Sequence, residues 1–156
     1  MAQDDLVIDP WGSAQSTDYD RIIEQFGLTS MTGVSLSNPS KLHRRGIVFA
    51  HRDVDQVVEA QRTGSPFGVL TGLMPSGQMH LGHSMVVEQA RWFQENGGDV
   101  TIAVADLESQ ATRGVSLSKG REVALREYIA HYAALGLDAE KTNVYFCLLY
   151  TSPSPR

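Results

Sequence analysis

The chain has 156 residues, of which 42% are hydrophobic and 20% charged, and a formal charge of −5. That length supports one domain burying about two-thirds of its unfolded surface, and a net negative chain does not coat nucleic acid by bulk electrostatics. No run approaches the roughly 18 apolar residues of a membrane span, the opening Met1-Ala2-Gln3-Asp4-Asp5 is too acidic for a secretory signal, and the single cysteine, Cys147, excludes an internal disulfide framework. The cytoplasm is the expected compartment.

Residues 1–65 read as an N-terminal α/β extension. Asp9-Pro10-Trp11-Gly12-Ser13 is a turn, and Thr17 or Asp18 is placed to cap a short helix over Tyr19 to Phe26 that stops at Gly27. Thr29 to Ser40 is polar and broken at Gly33 and Asn38-Pro39, as a loop would be. The basic island Lys41-Leu42-His43-Arg44-Arg45 reads as a solvated loop, and Gly46 to Ala50 as a short strand or buried connector. Val54, Val57 and Val58 recur at helical spacing within Asp53 to Arg62 before Thr63-Gly64-Ser65-Pro66 ends the helix.

From Phe67 the pattern alternates strand and helix. Phe67 to Thr71 is a strand, and Leu81, Met85, Val86, Ala90 and Phe93 form one apolar stripe on a helix ending at Asn96-Gly97-Gly98-Asp99. Val100 to Ala105 is a near-continuous β-prone run, expected for a parallel strand covered on both faces and closed by Asp106-Leu107-Glu108. A polar loop containing Arg113 and Gly114 leads to a helix capped by Ser118, with Leu125, Tyr128, Ile129, Tyr132 and Leu135 on its apolar face and Gly136 at its end. A further strand begins at Asn143. Crossovers of this length give a parallel sheet with ligands at the carboxyl ends of its strands, so the Thr71-to-Gly82 loop should share one crevice with Asp106 and Glu108. One of these carboxylates is then placed to meet an amine or N–H of a ligand.

The stretch Thr71-Gly72-Leu73-Met74-Pro75-Ser76-Gly77-Gln78-Met79-His80-Leu81-Gly82-His83 organises the chain. Glycine, proline and serine break it between a strand and a helix, and two histidines fall on the first helical turn, where unpaired N–H groups and the helix dipole attract anions. The histidines as a zinc pair would lack a carboxylate or cysteine on the same face, so no metal site is expected. Neither G-x-G-x-x-G nor G-x-x-x-x-G-K-[ST] is present.

The string Pro75-Ser76-Gly77-x-x-His80-x-Gly82-His83 resembles the first signature of class I aminoacyl-tRNA synthetases. Arg44-Arg45-Gly46-Ile47-Val48-Phe49, His51-Arg52-Asp53-Val54-Asp55, Ala105-Asp106-Leu107-Glu108, Glu127-Tyr128-Ile129, Tyr132 to Asp138 and the opening Asp9-Pro10-Trp11-Gly12 extend the likeness, in order, to the archaeal type of tryptophanyl-tRNA synthetase. Tyrosyl-tRNA synthetases share the histidine signature and Ala-Asp-Leu but lack the N-terminal segments. A short non-catalytic nucleotide-binding paralogue, or an unrelated nucleotidyltransferase with the same loop, are the other readings.

The resemblance implies a Rossmann-like parallel sheet of the class I synthetase type, its first half over 66–146. It implies ATP, with Mg2+ accompanying it, activating tryptophan for transfer to tRNA(Trp) in the full-length protein, no membrane, and a homodimer. Pro75, Ser76, Gly77, His80, Leu81, Gly82 and His83 would bind ATP, with His80 and His83 catalytic on the phosphates and Gly82 letting adenine lie flat on the backbone. Leu70, Gly72, Ala103, Asp106 and Glu108 would line the amino-acid site, Glu108 falling where the family places an indole-binding carboxylate. The chain departs from the family after Glu108, where Ser109-Gln110-Ala111-Thr112-Arg113 replaces aromatic residues, and Leu70 and Ala103 are apolar where eukaryotic relatives contact tryptophan through side chains. The second ATP signature, the KMSKS loop, and an anticodon-binding domain are not found; Ser116-Leu117-Ser118-Lys119 precedes the second helix and does not count as that loop. Residues 147–156 resemble a translated sequencing adapter, so this reading expects an artefactual tail after Phe146 and a truncated, inactive fragment.

Overall fold

The computed structural model describes residues 19–147. The Asp9–Ser13 turn, the Thr17 or Asp18 cap and the tail beyond Cys147 therefore lie outside the described residues. The chain forms two compact units, Met1–Val58 and Glu59–Arg156. No helix among the described residues is long and apolar enough to cross a membrane.

In the first unit, helix α1 (Tyr19–Gln25) leads to strand β1 (Thr29–Ser30), helix α2 (Lys41–Arg44) and strand β2 (Ala50–His51). β1 and β2 pair antiparallel, Thr29 opposite His51 and Ser30 opposite Ala50. β1 thus emerges from a stretch read as loop, because a two-residue ladder leaves almost no periodic signal, while β2 falls at the end of the stretch read as a short strand or buried connector. The basic island is helical rather than a loop. Ser40 caps it by accepting the Leu42 N–H (3.2 Å), the His43 ring returns to the Ser40 N–H (3.2 Å), and Leu42 is buried at 4% exposure. One apolar side chain and a reciprocal cap outweigh the solvation of its charged neighbours.

Helix α3 (Val54–Thr63) contains the boundary between the units. The second unit continues with strand β3 (Phe67–Leu73), helix α4 (Leu81–Glu95), strand β4 (Gly98–Val104), helices α5 (Asp106–Arg113), α6 (Leu117–Val123) and α7 (Ile129–Ala134), and strand β5 (Thr142–Phe146). Its sheet is parallel in the order β3-β4-β5, with Val69, Val100 and Thr142 in one row and Leu73, Val104 and Phe146 in another. Large β-branched residues alternate with small or polar ones along β4. Val100, Ile102 and Val104 are wholly buried, while Asp99 is exposed and Thr101 and Ala103 half-buried. Each of the buried three contributes roughly 1.5–3 kcal/mol of hydrophobic stabilisation, so the sheet is anchored from one side. Among the described residues the Val100–Ile102–Val104 face is fully covered, as expected, and the Thr101–Ala103 face is half-buried.

Leu73, Val100 and Ile102 meet Val87 and Ala90 of α4, Tyr128 and Tyr132 of the later helix, and Leu137 in one core. The expected α4 stripe holds at Val86 and Ala90, which pack in the core, and differs elsewhere: Val87, Trp92 and Gln94 are buried, whereas Leu81 is 85% exposed and Met85 exposed. Leu81 is the first residue of the helix, and Gln94 holds its buried place through polar contacts. Its amide donates to the Lys141 carbonyl (3.0 Å) and the Thr142 hydroxyl (2.8 Å) and accepts the Asp138 N–H (2.8 Å). Gly98, at the start of β4, is needed sterically: a Cβ there would stand 2.7 Å from the Phe67 ring and 3.1 Å from the Phe93 carbonyl.

Two further differences concern helices. Residues 106–113 form α5 rather than a strand end and loop; its last turn closes on Gly114 at φ 66, the left-handed cap that glycine favours. Helix α6 is capped by Ser116, which accepts the Lys119 N–H at 3.3 Å, not by Ser118. The helix then runs through a π segment, Ala124–Tyr128, into α7. Residues four apart overshoot a 3.6-residue α turn by about 40°, and a wider π turn cancels that drift. Gly120, Ala124, Tyr128 and Tyr132 consequently stay buried on one face, while Leu125 turns outward at 57% exposure.

Candidate functional site

β3 ends at Leu73, whose carbonyl accepts the Ala105 N–H (3.0 Å) and so holds the carboxyl ends of β3 and β4 together. The chain turns through Met74-Pro75-Ser76-Gly77, with the Ser76 N–H returning to the Met74 carbonyl (2.8 Å). Pro75 is fully buried and its carbonyl accepts the hydroxyl of buried Ser109 in α5 (3.1 Å). The loop after β3 and the helix after β4 thus meet directly at the sheet's carboxyl edge.

His80 and His83 form a reciprocal cap on α4. The Gly82 N–H donates to Nδ1 of His80 (3.2 Å), the His80 N–H donates to Nδ1 of His83 (3.2 Å), and the ring centroids are 4.0 Å apart. A neutral imidazole that accepts at Nδ1 carries its proton on Nε2. Both rings therefore keep Nε2–H as a donor beside the helix N-terminus, and no carboxylate occupies the first turn of α4. Burial, and then the neighbouring His80, lower the His83 pKa from its ordinary 6.5, so His83 donates as a neutral ring at pH 7. Gly82 makes this possible: a Cβ would lie 3.0 Å from Cε1 of His80. Ser76, Gly77, His80, Leu81 and Gly82 are exposed, whereas Pro75 is buried beneath the loop.

The other expected site residues divide into two groups. Gly72 and Ala103 are register partners on the less covered face of the sheet, and Ala103 is in turn opposite Tyr145. Leu70 lies on the same face, 70% exposed, one step back beside Thr101. Asp106 and Glu108 open α5, but they part: Asp106 is 1% exposed and accepts the Leu107 N–H (3.0 Å), whereas Glu108 is exposed. Both carry charge toward Cys147, whose thiol pKa is raised by burial and then by these carboxylates. Among the described residues no group of three or more His, Cys, Asp or Glu side chains is placed to hold a metal ion.

Residues 62–152 match the family described as tRNA synthetases class I (W and Y). The chain belongs to that family. The tryptophan--tRNA ligase of Methanosarcina acetivorans is 42% identical over 144 residues, which are 91% of this chain and 33% of that protein. The corresponding ligase of Aeropyrum pernix is 43% identical over 145 residues, 89% of this chain and 39% of the relative. The chain thus spans about a third of the length of these curated relatives. The crystal structure of tryptophanyl-tRNA synthetase from A. pernix superposes with a TM-score of 0.77 at 41% identity, covering 95% of this chain and 41% of that one. The Trypanosoma brucei enzyme gives 0.76 at 27% identity, covering 86% and 44%. Within this class I synthetase fold, three residues at the site escaped the sequence reading. Ser109 lay in a polar stretch taken for a loop, Tyr128 read as ordinary core, and only strand register shows Tyr145 beside Ala103.

Proposed function

We propose that the protein acts as a tryptophan--tRNA ligase, activating tryptophan with ATP and passing it to tRNA(Trp). The observation that carries this reading is the His80–His83 pair: two rings, each fixed at Nδ1 by a backbone N–H, with Nε2–H donors left at an N-terminal helix end free of acidic side chains. In the reaction a carboxylate oxygen of tryptophan bonds to the α-phosphorus of ATP as the bond from that phosphorus to pyrophosphate breaks. A hydroxyl at the 3′ end of the tRNA then takes the aminoacyl group, and AMP leaves. The amino-acid carboxylate is already ionised at pH 7, so the protein's task is positioning and stabilising charge on the phosphates. His80, His83 and the first turn of α4 do this, and Mg2+ bound to ATP would supply further neutralisation of phosphate charge.

On this reading residues 66–146 are the first half of the nucleotide-binding catalytic domain. Pro75, Ser76, Gly77, Leu81 and Gly82 shape the ATP site, while Leu70, Gly72, Ala103, Asp106 and Glu108 border the amino acid. A homodimer in the cytoplasm accompanies the assignment by resemblance. Tyrosine activation is the second reading, and the ligases named above favour tryptophan over it.

The test is tryptophan-dependent ATP–pyrophosphate exchange by the protein expressed from its complete reading frame. His83→Ala is expected to lower kcat roughly a hundredfold, as loss of one transition-state donor does, with a much smaller change in KM for ATP. Exchange supported by tyrosine instead, or by neither amino acid, would overturn the assignment.

A further inference from the structure

We infer that Tyr128 is a positioning residue for the nucleotide site, an inference that rests on the function proposed above. Tyr128 lies in the long helix, far in sequence from the loop it touches, and is 1% exposed. Its hydroxyl donates to the Met74 carbonyl at 3.0 Å, the same oxygen that accepts the Ser76 N–H at 2.8 Å. One phenol oxygen therefore ties the long helix to the backbone turn that closes around Pro75. Its ring also packs edge-on against His83, with centroids 5.6 Å apart at 69°.

These contacts do two separate things. The hydroxyl fixes a loop that contains glycine and serine and would otherwise sample many conformations. The ring edge sets one wall of the slot in which the His83 imidazole turns, and so the direction of its Nε2–H. Because the Ser76 N–H and the Tyr128 hydroxyl share the Met74 carbonyl, the loop acts as a rigid support, and a phosphate meets the imidazoles and the first turn of α4. The π segment ends at Tyr128 and keeps this residue on the buried face of its helix. Helical distortions of this kind concentrate at functional sites.

Tyr132 supplies the control. It is equally buried, at 3% exposure, stands one helical step on, and its hydroxyl has no hydrogen-bond partner among the described residues. Tyr128→Phe and Tyr132→Phe each delete one buried hydroxyl and keep the ring. Amide hydrogen exchange of the full chain is compared among wild type and both variants, alongside ATP–pyrophosphate exchange kinetics from the complete reading frame. Tyr128→Phe is expected to speed exchange of the Ser76 amide about tenfold or more, and to lower kcat about tenfold with KM for tryptophan nearly unchanged. Tyr132→Phe is expected to match wild type in both. Unchanged Ser76 exchange in Tyr128→Phe, or equal effects from the two variants, would overturn the inference. A wild-type protein with no tryptophan-dependent activity would sink the proposed function instead, and the amide measurement would still decide whether Tyr128 holds the loop.

Discussion

Gln94→Leu removes a polar hub while keeping a side chain of similar volume on α4. Gln94 is 5% exposed, and its amide makes four contacts with the segment entering β5: Asp138 O at 3.3 Å, Lys141 O at 3.0 Å, the Thr142 hydroxyl at 2.8 Å and the Asp138 N–H at 2.8 Å. The Thr142 hydroxyl still has the Asp138 carbonyl at 2.6 Å, so its loss is small. The Asp138 N–H and the Lys141 carbonyl lose their side-chain partner, and because both residues lie at the surface, water recovers part of each bond. Two net hydrogen bonds and residual desolvation amount to about 2–3 kcal/mol, or roughly 10 °C in Tm for a unit of this size. Thermal unfolding followed by circular dichroism measures it. Gln94→Glu should be at least as damaging, because its carboxylate would keep the Asp138 N–H yet face two carbonyl oxygens. A Tm within about 2 °C of wild type for Gln94→Leu would refute the hub and place the stability of this segment in apolar packing alone.

Gly98→Ala is expected to cost about 2–3 kcal/mol in urea unfolding, the range of overpacked sites, since the Phe67 ring can shift but the Phe93 carbonyl is helix backbone; an unchanged midpoint would show that β4 slides freely. Acidification is expected to weaken the fold through His43 and His83, whose pKa values are both lowered by burial from the ordinary 6.5. The unfolded chain then takes up protons first as pH falls. The stabilisation is fully present above about pH 6.5, declines as pH drops toward the folded-state values and levels off below them. Comparing urea midpoints of wild type and a His43→Gln, His83→Gln double variant at about pH 7.5 and 5.5 isolates this contribution. A wild-type protein losing no more stability than the variant on acidification would refute it.

The strand–loop–helix core of the site was legible from the chain alone. A break of proline, serine and glycine between apolar Phe67–Leu70 and a helical pattern has few ways to fold, and two histidines on a first helical turn can only stand beside its N-terminus. The parallel order of β3, β4 and β5 likewise follows from alternating elements with helical crossovers. Sequence periodicity placed Tyr128, Ile129, Tyr132 and Leu135 of the later helix on the core side but misjudged Leu125, because it assumes a constant turn and the π segment at Ala124–Tyr128 changes that turn, exposing Leu125 and aligning Ala124 with Tyr128. It also misjudged residues 106–113, where a helix with a polar surface is pinned by one buried serine rather than by an apolar stripe.

The sequence by itself determined which residues begin α4 and therefore where an anion can be met, since capping and the helix dipole act over a single turn. Only the tertiary structure decided how that turn is held. The Tyr128 hydroxyl on the Met74 carbonyl, the Ser109 hydroxyl on the Pro75 carbonyl, and the separation of buried Asp106 from exposed Glu108 depend on residues distant in the chain. Hydrogen bonds of this kind form only after hydrophobic burial has brought the helices onto the sheet, and burial acts on apolar area without direction.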